Sequence, residues 1–251
     1  MRERVLCITA HPDDETMLTG GVLAMLAKRG LEVHILCATR GEGGEVGEPS
    51  VVAGGEPLGV IRERELRCAA QALGAAAVRF LGYVDPPVGT HGQLFPYTHR
   101  PEPLVQHIVE VITQVRPLLL LTHGSQGEYG HPAHILTHRA VLEAHTAVQQ
   151  QETTAPHLYT FCAAVAGRED RISNEGDPAD IVLDVTPWLL AKAEAAACHR
   201  TQHALFFRNH PQAGSLLEVV RTVESLHRVW PAEGPHLAVF APYLVQRGAP
   251  G

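Results

Sequence analysis

The sequence predicts an α/β protein in which a mostly parallel, Rossmann-like sheet lies between two layers of helices. Segments with the apolar content of buried strands alternate along the chain with segments whose apolar residues recur at helical spacing. Glycine ends the first two helical segments, as it commonly does at helix C-termini. Strands that alternate with helices of this length form parallel sheets covered on both faces, so we expect a three-layer α/β/α fold. The 251 residues suit one such domain, which we expect to span residues 1–251.

The first 151 residues follow this alternation closely. Apolar runs of strand length predict strands at residues 4–10, 31–39, 77–82 and 118–122. Apolar residues at helical spacing predict helices at 15–30, 59–74, 101–117 and 131–151. The third of these helices has a proline near each end, where proline is tolerated or ends a helix.

The last hundred residues are less regular. Apolar runs predict strands at residues 157–163, 180–185 and 236–245. Helical spacing predicts helices at 187–202 and 217–230. Long loops are expected at 40–58, 83–100 and 164–179, and the first of these is rich in glycine.

The charge and the apolar runs exclude some classes of protein. A net charge of −7 argues against a nucleic-acid partner, since nucleic-acid-binding proteins are usually basic. No apolar run approaches 18 residues, and the run after the N-terminus is too short for a signal peptide. We therefore expect a cytoplasmic protein without a membrane partner, and the sequence leaves open whether it forms a homo-oligomer.

The five cysteines are scattered and form no CxxC pair. This pattern predicts neither a disulfide framework nor a cysteine zinc knuckle. Cys7 and Cys37 lie in apolar runs, so we expect them to be thiols of the core.

Two loops that follow predicted strands are dense in chemically active side chains. The first is His11-Pro12-Asp13-Asp14-Glu15, and the second is residues 122–134, "THGSQGEYGHPAH". In open parallel sheets ligands bind beyond the carboxyl ends of the strands, so both loops are candidates for one site.

Each loop also has a simpler interpretation when it is taken alone. Asp13 or Asp14 could cap the following helix, although capping leaves His11 unexplained. His131 and His134 could be two exposed histidines in a first helical turn. Together, however, the loops supply imidazole and carboxylate groups, and three such ligands with one open position are typical of a catalytic zinc ion. Iron(II) fits the same ligands.

These motifs resemble the PIG-L/LmbE family of zinc-dependent de-N-acetylases, which act on N-acetylglucosamine conjugates. The resemblance rests on "AHPDDE" followed by "GHPxH". It extends to "ATRGEGG", to "RERELRCAAQALG" with "VRFLGYVD", and to "CHRTQ", so that it covers roughly residues 4 to 205.

The resemblance implies a role for each candidate residue. His11, Asp14 and His134 would hold the metal ion, and Asp13 would be the general base. Either Asp13 or a protonated His131 would return a proton to the leaving amine, and Tyr129 would contact the reacting carbonyl. Arg62 would bind hydroxyls or an anionic aglycone of the substrate, and His199 would serve substrate binding from the C-terminal helix. For Arg62 the alternative is a surface arginine paired with Glu63 or Glu65.

The chain departs from the family pattern at position 133, where alanine replaces the aspartate of His-Pro-Asp-His. A carboxylate there would steady a neighbouring histidine, so another acid such as Glu128 is expected to replace it, or His131 is a weaker partner. Gln126 is a second departure, since many members have an acid there.

Three other functions are weighed against the deacetylase. A Rossmann-like nucleotide-binding protein is disfavoured because no glycine-rich fingerprint follows the first strand, and Asp13 and Asp14 would repel phosphate. A metal-binding protein without catalysis, or an amidase for another acetamide or thiol conjugate, is the remaining alternative.

Among substrates, the resemblance favours an acetamido sugar of low-molecular-weight thiol synthesis, with N-acetylglucosaminyl-malate as the first choice. Loop 40–58 follows the second strand at the same sheet edge, so we expect it to shape the sugar pocket. Arg62 would bind an anionic aglycone behind it.

Overall fold

The computed structural model describes residues 2–47, 52, 54–151, 155–168 and 172–245. Within these residues a seven-stranded sheet has the order β3-β2-β1-β4-β5-β9-β8, and β6 pairs with β7 in a second, two-stranded sheet. The strands β3, β2, β1, β4 and β5 run parallel to one another, whereas β9 is antiparallel to both β5 and β8. The strands are β1 (Arg4–Thr9), β2 (Glu32–Thr39), β3 (Ala77–Tyr83), β4 (Leu119–Thr122), β5 (His157–Phe161), β6 (Ala163–Ala164), β7 (Asn174–Pro178), β8 (Ile181–Asp184) and β9 (Val223–Trp230).

Helices cover both faces of this sheet, which confirms the predicted three-layer α/β/α fold. They are α1 (Asp14–Lys28), α2 (Leu58–Ala72), α3 (Pro101–Val115), α4 (Gly127–Gly130), α5 (Pro132–Gln151), α6 (Leu189–Cys198), α7 (His203–Asn209) and α8 (Leu216–Val219). The core on one face includes side chains of α1, α2 and α6, and the core on the other includes side chains of α3 and α5. Among the described residues, no helix has the length and apolar character needed to cross a bilayer.

The first strand shows why the central strands read as continuous apolar runs. Val5 and Cys7 point into the core beneath α1 and α2, whereas Leu6 and Ile8 point into the core beneath α3 and α5. Because side chains alternate across a strand, a strand covered on both faces has to be apolar at every position. Cys7 is fully buried, and so is Cys37 on β2, which agrees with their expected place in the core.

The predicted helix at 217–230 is wrong, because only α8 is helical there and residues 223–230 form β9. Glu224 and Leu226 are buried at a spacing of two, which suits a strand as well as the apolar spacing suits a helix. Buried polar contacts of Glu224 favour the strand. The Glu224 carboxylate accepts the backbone N–H of Val22 at 2.7 Å and an N–H of the Lys192 ammonium at 2.6 Å.

The predicted strand at 236–245 is also wrong. Residues Ala238–Tyr243 form a 3-10 helix, and only Leu244 makes an isolated bridge, to Leu183. Pro242 lies inside this segment and has no N–H to offer a sheet.

The cysteine pattern does not reveal the disulfide that the structure contains. Cys68 on α2 is bonded to Cys198 at the end of α6, 130 residues away in sequence. It therefore joins two helices of the same layer. Arg62 on α2 and His199 directly after α6, both predicted site residues, belong to the two segments that the bond connects. The scattered spacing gave no signal, since a bridge between distant helices has no local pattern.

We expect reduction of the Cys68–Cys198 bond to lower the free energy of unfolding by about 2–4 kcal/mol, because the bond restricts a long loop of the unfolded chain. Denaturant unfolding with and without dithiothreitol measures this difference. The Cys68→Ser variant is the control, since its stability should not respond to reductant. Equal stability of the oxidised and reduced wild-type protein would contradict the expectation.

Candidate active site

The candidate site lies where the strand order of the large sheet reverses. From β1 the chain proceeds outward to β2 and β3, and β4 lies on the other side of β1. Such a reversal opens a crevice beyond the carboxyl ends of the strands, where α/β proteins bind ligands. The loops after β1, β2, β3 and β4 all begin at this edge, and they carry His11, Gly41, Asp85 and His123.

The loop after β1 has a conformation that separates the two aspartates. Asp13 has a φ of 107°, in the left-handed region, and its side chain makes no capping hydrogen bond. Asp14 begins α1, but its Oδ2 accepts the N–H of His11, which precedes the helix, at 2.8 Å. The helix-capping interpretation therefore does not describe this loop. Strained residues of this kind cost about 1–3 kcal/mol and cluster at functional sites.

The three predicted metal ligands lie together. Nε2 of His134 is 3.3 Å from Nδ1 of His11 and 3.3 Å from Oδ1 of Asp14, and Nδ1 of His11 is 3.5 Å from Oδ2 of Asp14. Tetrahedral zinc with bonds of about 2.0–2.2 Å separates its ligand atoms by roughly 3.3–3.6 Å. The two nitrogens lie at this spacing, and Asp14 turns one carboxylate oxygen toward each of them. The donor types therefore fit a divalent metal ion.

Two further ligand groupings share His134. His11, His131 and His134 also converge, as do Asp14, His123 and His134. Nε2 of His123, however, already accepts the backbone N–H of Ala10 at 3.0 Å. His123 is therefore less available to a metal ion than the predicted ligand His11.

A buried carboxylate contacts each of the two histidines that are predicted to be metal ligands. Nδ1 of His134 is 2.6 Å from Oε2 of Glu128, and Nε2 of His11 is 3.2 Å from Oδ1 of Asp85. A neutral imidazole that donates one N–H to a carboxylate presents the lone pair of its other nitrogen. Both rings therefore turn a ligand nitrogen toward the same point. The sequence gave no signal for Asp85, which lies in a loop expected only to be irregular.

Glu128 supplies the carboxylate that Ala133 does not, as one of the two sequence alternatives proposes. It also pairs with Nδ1 of His123 at 2.9 Å, and its other oxygen accepts the N–H of Gly124 at 2.9 Å. Burial opposes ionisation, but His123 and His134 outweigh it and hold the pKa of Glu128 well below its ordinary value. The residue has a φ of 62°, so this second acid also occupies left-handed backbone.

Asp13 faces Arg62. Nη2 of Arg62 is 3.5 Å from Oδ1 of Asp13, and the guanidinium also donates to the carbonyl oxygens of Pro12 at 2.5 Å and Gly41 at 3.1 Å. The surface-arginine alternative is wrong, because Arg62 is buried and Glu65 instead accepts bonds from Thr201. Burial raises the pKa of Asp13 to about 6, although Arg62 acts in the opposite direction.

The close approach of Arg62 to the loop after β2 requires glycine there. A Cβ at Gly41 would stand 2.2 Å from Nη1 of Arg62, and one at Gly44 would stand 2.3 Å from the same atom. Gly43 and Gly44 line the cavity described below, so the described part of loop 40–58 lies beside the site as expected. Residues 48–51 and 53 of that loop are outside the described residues.

His131 and Tyr129 lie on the open side of the cluster. The ring of His131 stacks on that of His134, with centroids 4.5 Å apart, and its Nδ1 accepts the N–H of Ala133 at 3.2 Å. Burial, followed by the charges of His134 and His11, lowers the pKa of His131 to about 2. Tyr129 stands edge-on to His131 with centroids 5.7 Å apart, and 54 % of its surface is exposed.

The structure corrects the prediction that His199 binds substrate. His199 is fully buried and does not line the cavity. Its Nε2 lies 2.9 Å from Oε1 of Glu15, and Oε2 of Glu15 accepts the N–H of Asp13 at 3.0 Å. His199 therefore supports the loop that carries the two aspartates, from behind.

A cavity of about 400 Å³ opens over the cluster, within the usual range for small-molecule sites. His11, Asp13, Asp14 and His131 line it at the sheet edge. The predicted ligand His134 lies beneath them and is almost fully buried. The cavity thus gives a small molecule access to Asp13 and to the open side of the ligand cluster.

A crevice with this ligand set, beside an acid that is not a ligand, is typical of metal-assisted hydrolases. Residues 6–145 match the family model of the GlcNAc-PI de-N-acetylases, PIG-L. The chain is 33 % identical over 239 residues to a 1D-myo-inositol 2-acetamido-2-deoxy-α-D-glucopyranoside deacetylase of Rhodococcus erythropolis, covering 80 % of this chain and 81 % of the relative. The chain belongs to the PIG-L family, and it is a hydrolase that acts on amides.

Solved structures share the fold at lower identity. The N,N'-diacetylchitobiose deacetylase of Pyrococcus horikoshii superposes with a TM-score of 0.68 at 20 % identity, covering 90 % of this chain and 83 % of that one. The 4-carboxy-2-hydroxymuconate hydratase of Pseudomonas putida gives 0.64 at 23 % identity, covering 94 % of this chain and all of the other. Since a deacetylase and a hydratase share this fold, the fold alone does not determine the reaction.

We expect Glu128→Gln to weaken metal binding about 10- to 100-fold, because the neutral amide no longer polarises His134. Metal titration of the apoprotein measures this affinity, and circular dichroism checks the fold. Glu110→Gln, an exposed substitution on α3, is the matched control and should bind metal like the wild type. Equal affinity in Glu128→Gln and the wild type would contradict the positioning role.

Proposed function

We propose that this protein removes the acetyl group from a 2-acetamido-2-deoxyglucose conjugate, with a divalent metal ion, first of all zinc, held by His11, Asp14 and His134. The proposal rests chiefly on one observation, the convergence of His11, Asp14 and His134 beside a cavity that Asp13 lines. In each pair of these residues the nearest side-chain nitrogen and oxygen atoms lie 3.3–3.5 Å apart. The names of the relatives, which describe an acetamido sugar, support the substrate class. When bound, such an ion would supply Lewis-acid polarisation of the amide carbonyl and activation of water near neutral pH.

Asp13 is the residue that we assign to proton transfer. Its side chain lines the cavity next to the candidate ligands, but it belongs to neither of the two further groupings of converging ligand atoms described above. As a carboxylate it can accept the proton of the attacking water. The same group can then deliver that proton to the amine nitrogen as the C–N bond breaks. The second proton of the water stays on the acyl product, so acetic acid and the free amine leave and the protons balance.

His131 and Tyr129 are then assigned to hydrogen bonding. The low pKa of His131 keeps its ring neutral, and its Nδ1 accepts an N–H from Ala133, so its Nε2–H can donate to the substrate. The hydroxyl of Tyr129 is protonated near neutral pH, as tyrosine ordinarily is, and can donate to the carbonyl oxygen. Glu128 contacts His134 and His123. The low pKa of His131 makes it a weaker source of a proton than Asp13, which agrees with the second sequence alternative.

The nature of the aglycone is a finer question. The anionic aglycone expected from the sequence, malate, needs a cation that is ready to bind carboxylates. Arg62 is the arginine that lines the cavity, and its two terminal nitrogens already contact Pro12, Gly41 and Asp13. These contacts favour an uncharged aglycone over malate, and the inositol conjugate named for the relatives is uncharged. A cytoplasmic location stays a prediction.

The alternatives predict different products. A nucleotide-binding protein would place phosphate against Asp13 and Asp14, whose charges repel it. A hydratase would add water without releasing amine, and a metal-binding protein without catalysis would release no product. Equal amounts of acetate and free amine from an acetamido sugar therefore support the deacetylase alone.

We expect Asp13→Asn and Asp14→Ala to separate catalysis from metal binding. Asp13→Asn should retain the metal ion and lose turnover roughly 10²–10⁴-fold, because general base catalysis is removed while asparagine tolerates left-handed backbone. Asp14→Ala should lose both metal and turnover. Elemental analysis and amine release from N-acetylglucosamine and its inositol conjugate are the measurements. If both variants lose metal to the same extent, the division of labour between the aspartates is wrong.

A further inference from the structure

The walls of the cavity beyond the ligand cluster are largely apolar. They come from separate parts of the chain: α1, the segment between β3 and α3, the segment before β7, and α7. The apolar side chains that line the cavity are Met17, Leu18, Pro86, Val88, Leu94, Phe95, Ile172, Leu205 and Phe206. Several of them are only partly buried, so they present apolar surface to the cavity. Apolar surface of this kind gains free energy when a hydrophobic group of a ligand covers it.

The charges around the cavity disfavour an anionic group in the same place. The carboxylates of Asp13, Asp14, Glu45 and Asp85 line it. The guanidinium of Arg62 is the one arginine or lysine head group among the described lining residues, and it is buried against backbone carbonyls. The two terminal nitrogens of Arg208 donate hydrogen bonds to the Glu45 carboxylate, at 2.6 and 2.8 Å.

We propose that the apolar wall receives a hydrophobic, uncharged group, aryl or alkyl, attached to the acetamido sugar. This inference rests on the proposed deacetylase function and adds the chemistry of the group that is attached to the sugar. The metal cluster and Asp13 would hold the amide at the sheet edge, while the hydrophobic group would cover the side chains of α7 and of the segment that carries Val88 and Phe95. A conjugate of this kind gains binding free energy without placing an anion near four carboxylates.

The hydrophobic group could be attached at either of two places, as the aglycone or as the N-acyl chain. Two substrate series distinguish them. One series is methyl, butyl and phenyl glycosides of N-acetylglucosamine, and the other is N-acetyl, N-butanoyl and N-hexanoyl glucosamine. The inositol and malate conjugates complete the comparison. Each buried methylene adds up to a factor of about 4, so lengthening methyl to butyl should raise kcat/KM by about 10- to 60-fold in the series whose group meets the wall.

A substitution at the wall tests its role directly. Val88→Asp places a charge at a partly exposed lining position, and it should remove most of the preference for butyl or phenyl over methyl. Val84→Asp is the matched control, because Val84 is 66 % exposed in the same segment and does not line the cavity. The control should keep the wild-type preference ratio.

The outcomes separate this inference from the proposed function. A preference of at least 10-fold for the hydrophobic member of either series, lost in Val88→Asp alone, supports the inference. The inference is overturned if the malate or inositol conjugate is turned over as well as, or better than, the hydrophobic members of the two series. If no acetamido sugar releases amine, the proposed function fails, and calorimetric binding of the butyl and methyl glycosides to metal-loaded protein decides the inference separately. Equal affinity for the butyl and methyl glycosides, together with equal affinity for N-acetyl and N-hexanoyl glucosamine, would overturn it.

Discussion

The site depends on two buried carboxylates that fix the orientation of two imidazole rings. A histidine can ligate a metal ion through either nitrogen, and a free ring can rotate away from the ion altogether. Glu128 and Asp85 each contact the nitrogen of His134 or His11 that points away from the proposed metal position. Because an unpaired carboxylate in the interior is costly, each acid has to be matched by donors, and those donors come from distant segments of the chain.

The environment of Glu128 shows how far this requirement reaches. One oxygen contacts His123 and His134, and the other accepts from Gly124 and from the side chain of Asn174 at 3.2 Å. Asn174 begins β7, so the small second sheet has a direct role in holding the metal cluster. Asp85 is tied in a similar way, since its backbone N–H donates to Glu42 in the loop after β2 at 3.1 Å. The loops after β2 and β3 are therefore joined at Asp85, and the loop after β4 is joined to β7 at Glu128.

Left-handed backbone at Asp13 and Glu128 is the conformational cost of this arrangement. Each such residue costs about 1–3 kcal/mol, and the surrounding contacts have to hold it in place. Around Asp13 these contacts are Glu15 on its N–H and Arg62 on its carboxylate and on Pro12. Glu15 is held in turn by His199, which explains why a histidine outside the cavity belongs to the site. The disulfide joins α2, which carries Arg62, to the end of α6 directly before His199.

Local patterns made the central fold and the grouping of the candidate site residues predictable, but not the contacts that connect them. The apolar run of β1 and the spacing of His11 with Asp14 and of His131 with His134 are properties of short segments, and the structure brings these residues together. Contacts between distant segments could not be predicted in this way. Asp85 contacts His11, and Cys68 bonds to Cys198, only because the fold brings these segments together. The strand β9 belongs to the same class, since the buried pairing of Glu224 with Lys192 selects a strand where the apolar spacing also suits a helix.

The central claim is that His11, Asp14 and His134 hold one metal ion while Asp13 stays free. The most direct measurement is anomalous X-ray diffraction at the zinc edge from crystals of the zinc-loaded protein. The account predicts a single peak at about 2.0–2.2 Å from Nδ1 of His11, a carboxylate oxygen of Asp14 and Nε2 of His134. A peak ligated by His123 or His131 in place of His11, or by Asp13, would contradict it.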